Sequence, residues 1–232
     1  MEKDILIIPD IHGRTFWKDA VKHSDDYEKI IFLGDYLDPY PHEKITPLDA
    51  LEQLQEILEF AEKHPEQIIM LLGNHDMHYV SDTYKDLAMS SRYDDILAND
   101  FHQIFQEHLE QFQLSWECMR NGRRYLFTHA GISEGWYQKN RKIIGELTIH
   151  HLNQLLYTED GMYALGQIGY ERGGFFPYGS IVWADLIELG YGEILPNTYQ
   201  IFGHDQQSQH PIITSHWACL DCRRAFKLSQ LP

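Results

Sequence analysis

The feature that most constrains the fold is a short apolar run that stops at a glycine and is followed at once by carboxylates. Residues 30–38 read IIFLGDYLD, so that Asp35 and Asp38 come just after the run, three residues apart. An apolar run of this length, bounded by a turn signal, is typical of a buried strand in a parallel sheet. Asp35 would then lie just past the carboxyl end of the strand, where open α/β sheets place their ligands.

The same arrangement recurs along the chain. Residues with oxygen or imidazole ligands follow four other apolar runs: Asp10 and His12 after ILIIP, Asn74, His75 and Asp76 after IIMLLG, Thr128 and His129 after YLF, and His204 after YQIFG. Mixed imidazole and oxygen ligands suit manganese, iron and zinc. We therefore expect five strand ends to converge on one metal cluster, with Asp35 bridging two ions.

The segments between these runs predict alternating strands and helices in the first half of the chain, and hence a parallel sheet. A helix is predicted over 47–63, with Thr46 as its cap and Pro47 at its first position. Asn121-Gly122 predicts a two-residue hairpin turn, so the second half should contain antiparallel pairing. We expect a helical insertion near 81–112 and a long substrate-access loop near 158–180, which is rich in glycine and aromatic residues.

Composition limits the range of functions. A chain of 232 residues with 43% hydrophobic residues is expected to form a single domain over 1–232. Its formal charge of −16 repels phosphate backbones and anionic lipid, so neither a nucleic-acid polymer nor a membrane is an expected partner. No charged and apolar leader precedes the first predicted strand and no apolar run reaches membrane-spanning length, so we expect a soluble, cytoplasmic protein. The oligomeric state is left open.

Taken together, the motifs resemble those of one known family. In chain order they are Asp10-x-His12, Gly34-Asp35-x-x-Asp38, Gly73-Asn74-His75-Asp76, His129-Ala130-Gly131 and Gly203-His204. This series resembles the calcineurin-like metallophosphoesterases, and Trp183-Ala184-Asp185 is similar to the Trp-Ser-Asp segment of the branch that contains Ser/Thr protein phosphatases and symmetrical dinucleoside tetraphosphatases. One such motif would be a weak signal, whereas five in order at predicted strand ends are specific. The resemblance implies an α/β fold in which two mixed β-sheets form a sandwich flanked by helices.

The resemblance also implies a role for each motif residue. Asp10, His12 and Asp35 would hold the first of two divalent metal ions, and Asp35, Asn74, His129 and His204 the second. The expected metal is manganese, with iron or zinc as alternatives, and a hydroxide that bridges the two ions would attack the phosphate ester. His75 would be the general acid that protonates the leaving oxygen, with Asp38 fixing its tautomer.

One departure from the family pattern affects substrate binding. The protein phosphatases carry an arginine directly after the second Asp of GDxxD, where it grips the substrate phosphate, but this chain has Pro39 there. Proline has no side-chain donor, so another residue must supply the contact or it is lost. Arg14 and Arg172 are the candidates. Gln206 stands where many phosphodiesterases of the family have a further histidine, which favours the phosphatase and dinucleotide branch.

Three hypotheses for the function follow. The leading one is a phosphatase that hydrolyses phosphomonoesters, with phosphorylated proteins or small phosphate esters as substrates. The second is symmetrical hydrolysis of dinucleoside polyphosphates, which the aromatic loop would support by stacking on adenine. The third is a non-catalytic scaffold of the same fold that binds a partner through its acidic surface. The intact set of metal ligands argues against the scaffold.

Overall fold

The computed structural model describes residues 3–190 and 194–232. Its strands form two five-stranded sheets. The strands are β1 (Asp4–Ile8), β2 (Tyr27–Phe32), β3 (Ile68–Leu71), β4 (Phe112–Gln113), β5 (Ser115–Arg120), β6 (Arg123–Thr128), β7 (Thr198–Phe202), β8 (Ile212–Ile213), β9 (Trp217–Cys219) and β10 (Phe226–Lys227).

Helices flank the two sheets, and none of those in the described residues is long and apolar enough to cross a membrane. The helices are α1 (Phe16–Ala20), α2 (Pro47–Lys63), α3 (Asn74–Val80), α4 (Asp82–Ala88), α5 (Ala98–His108), α6 (Glu134–Ile144), α7 (Ile149–Gln154), α8 (Glu159–Leu165) and α9 (Leu186–Leu189).

Both sheets are mixed. The first has the order β10-β1-β2-β3-β4, in which β1 to β4 are parallel and β10 is antiparallel to β1. The second has the order β5-β6-β7-β9-β8, in which β6, β7 and β9 are parallel and the two edge strands are antiparallel to their neighbours. This architecture confirms the predicted α/β sandwich.

The alternation of side chains along β1 explains why its last four residues, Ile5 to Ile8, are all apolar. Ile5 and Ile7 pack between the two sheets, in a cluster that includes Ile201 of β7. Leu6 and Ile8 point to the opposite face and belong to the cluster that contains apolar residues of α2. Because successive side chains of a strand point to opposite faces, a strand buried on both faces has no polar positions.

Two local predictions are confirmed. Helix α2 has the predicted bounds, and Thr46 and Asp49 form a reciprocal capping box at its start. Its buried residues Ala50, Leu54 and Ile57 recur at helical spacing and join the core. Strands β5 and β6 pair antiparallel in a register in which Arg120 lies opposite Arg123, so that Asn121 and Gly122 form the connecting turn.

The prediction of a loop over 158–180 is wrong for its first part. Helix α8 occupies Glu159–Leu165 and starts at Thr158, whose hydroxyl accepts a hydrogen bond from the Gly161 N–H. Glycine usually counts against a helix. Here a Cβ on Gly161 would lie 2.3 Å from the carbonyl oxygen of Leu155, so the close approach of the preceding turn requires glycine. The predicted helical region near 81–112 contains α4, α5 and an irregular segment at 89–97.

Candidate metal centre

The strand ends that carry candidate ligands meet at one edge of the sandwich. In the first sheet, β1, β2 and β3 are parallel and neighbouring, so Asp10, Asp35 and Asn74 emerge side by side. In the second sheet, β6 and β7 are parallel neighbours and lead to His129 and His204. The two sheets thus deliver their polar residues to the same place.

One group of ligand atoms surrounds the ring of His129. Its Nε2 lies 3.1 Å from Asn74 Oδ1, 3.1 Å from His204 Nδ1 and 3.5 Å from Asp35 Oδ1. His129 Nδ1 is 2.8 Å from the carbonyl oxygen of Leu33, so it donates its proton there and leaves the lone pair of Nε2 facing the other ligand atoms. An imidazole oriented by a backbone carbonyl in this way is typical of metal ligands.

A second group lies on the other side of Asp35. His12 Nε2 is 3.4 Å from Asp35 Oδ2, and His12 Nδ1 donates to the carbonyl oxygen of Leu37 at 2.7 Å. Asp10, His12 and Asp35 each offer a ligand atom within 4.8 Å of the others. The two oxygens of Asp35 therefore face different groups of ligands, as a carboxylate that bridges two metal ions does.

The protonation of these groups fits a metal site. Burial lowers the pKa of His12 well below its ordinary value, and burial together with Arg172 does the same for His204, so both rings are neutral and their lone pairs are free to bind a cation. Burial raises the pKa of Asp10 to about 6, and the charge of Asp35 adds to this effect. Divalent cations would compensate these buried carboxylates, and the donor set suits them.

His75 and Asp38 form a separate network beside the candidate ligands. His75 Nδ1 lies 2.8 Å from Asp38 Oδ2, His78 Nε2 lies 2.9 Å from the same oxygen, and the Tyr79 hydroxyl donates to Asp38 Oδ1 at 2.6 Å. Burial alone would raise the pKa of Asp38, but the hydrogen bonds from His75 and His78 outweigh it and lower the pKa to about 2. Asp38 is thus an ionised carboxylate that holds the His75 ring in one orientation.

Asp38, His75 and His78 are also close enough together to be considered as metal ligands. The hydrogen bonds favour a different role. His78 Nδ1 accepts a hydrogen bond from the Ser90 N–H at 3.3 Å, so the ring proton is on Nε2, which lies 2.9 Å from Asp38 Oδ2 without hydrogen-bond geometry. With His75 and Tyr79 hydrogen-bonded to its carboxylate and the protonated Nε2 of His78 beside it, Asp38 serves to position His75.

Asp76 ties two of the ligand loops together. Its carboxylate accepts hydrogen bonds from the backbone N–H groups of Asp35, Tyr36 and Gly73, at 2.8, 2.9 and 2.8 Å. The first two belong to the loop after β2 and the third to the loop after β3. Asp76 therefore fixes the distance between Asp35 and Asn74, in addition to capping α3.

The two arginines proposed from sequence both lie near the site and both have carboxylate partners. Arg14 Nε is 2.7 Å from Glu43 Oε2, and its Nη1 donates to the carbonyl oxygen of Asp10. Arg172 pairs with Asp185 at 3.0 Å and with Asp205 at 2.9 Å. Within the described part of the chain, neither arginine makes a hydrogen bond to His75.

Sequence reasoning missed a third arginine at the site. Arg92, in the segment 89–97, places Nη2 2.7 Å from His75 Nε2 and donates from Nη1 to the carbonyl oxygen of Asp38 at 2.7 Å. Its guanidinium carbon lies 3.8 Å from the centre of the Tyr40 ring. No motif surrounds Arg92 that could have pointed to it. His78 was also missed, although its position three residues after His75 on a helix was a usable signal.

Comparison with known proteins agrees with this geometry. The model of the calcineurin-like phosphoesterase family matches residues 3–208. A search of curated proteins gives no significant sequence match. A similar solved structure is a protein serine/threonine phosphatase from Saccharomyces cerevisiae, described as similar to human phosphatase PP5, with a TM-score of 0.50 and 14% sequence identity. The alignment covers 94% of this chain and 66% of that one, so this chain spans a little under two thirds of its length.

At 14% identity the structural likeness establishes the fold, while the family match rests on the sequence over most of the chain. The matched residues include every candidate metal ligand as well as Asp38 and His75. The buried Asp and His groups described above lie where both sheets end and could hold divalent metal ions. On these grounds the chain belongs to the calcineurin-like phosphoesterase family.

Proposed function

We propose that this protein is a dinuclear metal-dependent phosphoesterase that hydrolyses phosphomonoesters, as protein Ser/Thr phosphatases do. The observation that carries the proposal is the position of Asp35, whose two oxygens face His129 and His12 at 3.5 and 3.4 Å. Asp10, His12 and Asp35 would hold one ion, and Asp35, Asn74, His129 and His204 the other. Bound there, two divalent cations supply an activated water molecule and positive charge opposite the phosphoryl oxygens.

The residues beside the ligands carry the proton chemistry. As the oxygen of water bonds to phosphorus, the bond from phosphorus to the leaving oxygen breaks and that oxygen needs a proton. His75 is placed to give it from Nε2, because Nδ1 is held by Asp38 at 2.8 Å. The side chains of His75 and Asp38 are both nearly fully buried, at 8% and 0% exposed, so that bulk water does not compete for this hydrogen bond.

The test is a His75→Ala variant, reconstituted with manganese after removal of metal. We expect kcat for an alkyl phosphate to fall by about 10²-fold or more, because the alkoxide leaves without a proton. With p-nitrophenyl phosphate, whose leaving group needs no proton, the loss should be much smaller. Metal content, measured by atomic spectrometry, should stay near that of the wild type.

The matched control is His150→Ala, which removes an exposed histidine from α7. It should leave both rates unchanged. If His75→Ala lowered the rates of both esters equally, the general-acid role would be wrong. A wild-type protein that binds manganese and hydrolyses none of an aryl phosphate, a phosphothreonine peptide and diadenosine tetraphosphate would contradict the proposed function and favour the scaffold.

A second candidate is symmetrical hydrolysis of dinucleoside polyphosphates. It is favoured by exposed aromatic side chains close in sequence to Arg172, among them Tyr170 and Phe175, which are 62% and 90% exposed. Arg172 links this segment to Asp205, next to His204. An exposed ring near the site could stack on a nucleobase. Product analysis decides between the candidates, since symmetrical cleavage of diadenosine tetraphosphate gives two molecules of ADP.

A further inference from the structure

The arginines around the candidate metal centre differ in one respect. Arg14 and Arg172 both have carboxylate partners: Arg14 pairs with Glu43, which Arg223 also contacts, and Arg172 pairs with Asp185 and Asp205. Arg92 has no carboxylate partner among the residues that the structure describes. In a protein with a formal charge of −16, a half-buried cation without an anionic partner is unusual. Such a cation beside a metal site is suited to an anionic ligand.

We propose that Arg92 binds the phosphoryl group of the substrate and so takes the place of the arginine that the family carries where this chain has Pro39. This inference rests on the proposed function. Arg92 shares no motif with the rest of the site and is brought there by the irregular segment between α4 and α5.

The hydrogen bonds of Arg92 hold it in place but leave part of its fork free. Nη1 donates to the carbonyl oxygen of Asp38, and Nη2 contacts His75 Nε2. A guanidinium has five N–H groups, and those of Arg92 that remain have no acceptor among the described residues. The planar guanidinium therefore has N–H groups available for a phosphate, and two of them can bind two phosphate oxygens at once.

Tyr40 provides the surface on which Arg92 lies. The guanidinium carbon is 3.8 Å from the centre of the Tyr40 ring, a favourable cation–π distance. Pro39 and Pro41 flank Tyr40, and its backbone is extended, with φ −72° and ψ 131°, as expected for a residue before proline. The Tyr40 ring also packs edge-on against His12 at 5.0 Å. Pro41, which follows Tyr40, thus helps to hold the support for Arg92.

The contact with His75 places the phosphate relative to the proton donor. Nη2 of Arg92 donates to the unprotonated Nε2 of His75 at 2.7 Å. When Nε2 carries the proton for the leaving group it no longer accepts this hydrogen bond, so Nη2 is released to bind a phosphoryl oxygen next to that nitrogen. Arg92 therefore acts on the phosphoryl group itself, whereas His75 acts on the leaving oxygen. This difference can be measured.

The experiment compares Arg92→Ala and Arg92→Lys with wild-type protein, all loaded with manganese. For Arg92→Ala we expect kcat to fall by about 10²-fold for alkyl and aryl phosphates alike, because the lost contact stabilises the phosphoryl oxygens whatever the leaving group. The inhibition constant of inorganic phosphate for this variant should rise by at least about tenfold. Arg92→Lys should recover part of both losses, since lysine keeps the charge but not the fork.

The matched control is Arg141→Ala, which removes an exposed arginine from the last turn of α6 and should change neither quantity. Arg172→Ala tests the other arginine proposed to bind the phosphate. If it weakened phosphate inhibition while Arg92→Ala did not, the inference would be wrong. An effect of Arg92→Ala confined to alkyl phosphates would also overturn it, because Arg92 would then only position His75.

Titration calorimetry of inorganic phosphate into each manganese-loaded protein needs no turnover. A wild type that binds phosphate but hydrolyses no ester refutes the proposed function alone. An Arg92→Ala protein that binds phosphate as tightly as the wild type refutes the inference alone. If Arg92→Ala does not fold, as judged by circular dichroism, Arg92→Lys and Arg92→Gln carry the same comparison.

Discussion

At the scale of single residues, the candidate site is built from unusual backbone conformations. His12, Asp35, Asp38 and His204 have φ angles of 45°, 53°, 55° and 66°, a region that few residues other than glycine adopt. Each such residue costs roughly 1–3 kcal/mol and persists only where its surroundings fix it. Here the fixing contacts include the hydrogen bonds of Asp76 and the carbonyl of Leu37. Four of the eight described non-glycine residues with positive φ thus lie where the ligands must point at one another.

Asp38→Asn tests the carboxylate that orients His75. We expect kcat for an alkyl phosphate to fall by about 10²-fold or more, because the amide removes the charge that holds a protonated His75 ring in place. Asp86→Asn, an exposed change on α4, is the matched control. Steady-state rates with an alkyl phosphate measure the effect, and equal rates for the wild type and Asp38→Asn would contradict it.

The same variant changes the pH dependence of stability. The pKa of Asp38 lies below its ordinary 3.8, at about 2, so ionised Asp38 stabilises the fold above about pH 4 and this contribution is lost as the pH falls toward 2. At about 1.4 kcal/mol per pH unit, the loss is on the order of 2 kcal/mol. Urea unfolding of metal-free protein at pH 5 and 2.5 should show a smaller acid loss for Asp38→Asn than for wild type.

At the scale of elements, the loops after β3 and β7 contain Gly73 and Gly203 for reasons of space. A Cβ on Gly73 would lie 2.1 Å from Asp35 Oδ1, and one on Gly203 would lie 1.9 Å from Asp10 Oδ1. Neither glycine has a positive φ, so the backbone alone would accept another residue. Glycine is required because the strand ends approach the ligand carboxylates more closely than any side chain allows.

Gly203→Ala should therefore weaken metal binding. The new methyl group pushes the Asp10 carboxylate out of position, and we expect at least an approximately tenfold loss of manganese affinity, in line with the cost of disturbing the orientation of metal ligands. Gly122→Ala is the control, because its Cβ meets nothing within 4 Å although its φ is +76°. It should lower the free energy of unfolding by about 1 kcal/mol and leave manganese affinity unchanged. Equal affinities for the two variants would show that the Gly203 contact is unimportant.

At the scale of the whole molecule, the candidate centre exists only when the two sheets pack together. Asp10, His12, Asp35 and Asn74 come from the first sheet, whereas His129 and His204 come from the second. Packing gathers carboxylates and imidazoles in a buried place in a protein that is already acidic overall, so the site adds to the electrostatic cost of folding. Cations bound there would link the two sheets and offset that cost.

Manganese should accordingly raise the thermal unfolding midpoint, by an amount that grows with its concentration. Burial raises the pKa of Asp10 to about 6, so protons compete with the cation below that pH and the stabilisation should shrink between pH 7 and pH 5. Scanning calorimetry with and without manganese at both pH values tests this. Asp35→Asn, which removes the shared carboxylate, should lose most of the effect. A manganese effect that does not depend on pH would contradict the role of Asp10.

The sequence by itself determined the features that depend on neighbouring residues. The apolar runs before Asp10, Asp35, Asn74, His129 and His204 identified the strand ends, because burial on both faces and a terminating turn are local properties. The cap at Thr46 and the Asn121-Gly122 turn fixed a helix and a hairpin for the same reason. Sequence order alone was enough to associate the ligand motifs with one family.

Only the tertiary structure decided which distant loops meet. Arg92 contacts the carbonyl of Asp38 across 54 positions of the chain, and Asp76 reaches the N–H of Asp35 across 41. Neither contact leaves a pattern in the residues around it, so sequence reasoning chose Arg14 and Arg172, which are nearer to recognised motifs. Helix α8 was missed because a glycine at position 161 is locally unfavourable for a helix. Glycine is required there because the backbone of Leu155 packs against it. Contacts of this kind depend on the approach of whole elements, which no local preference encodes.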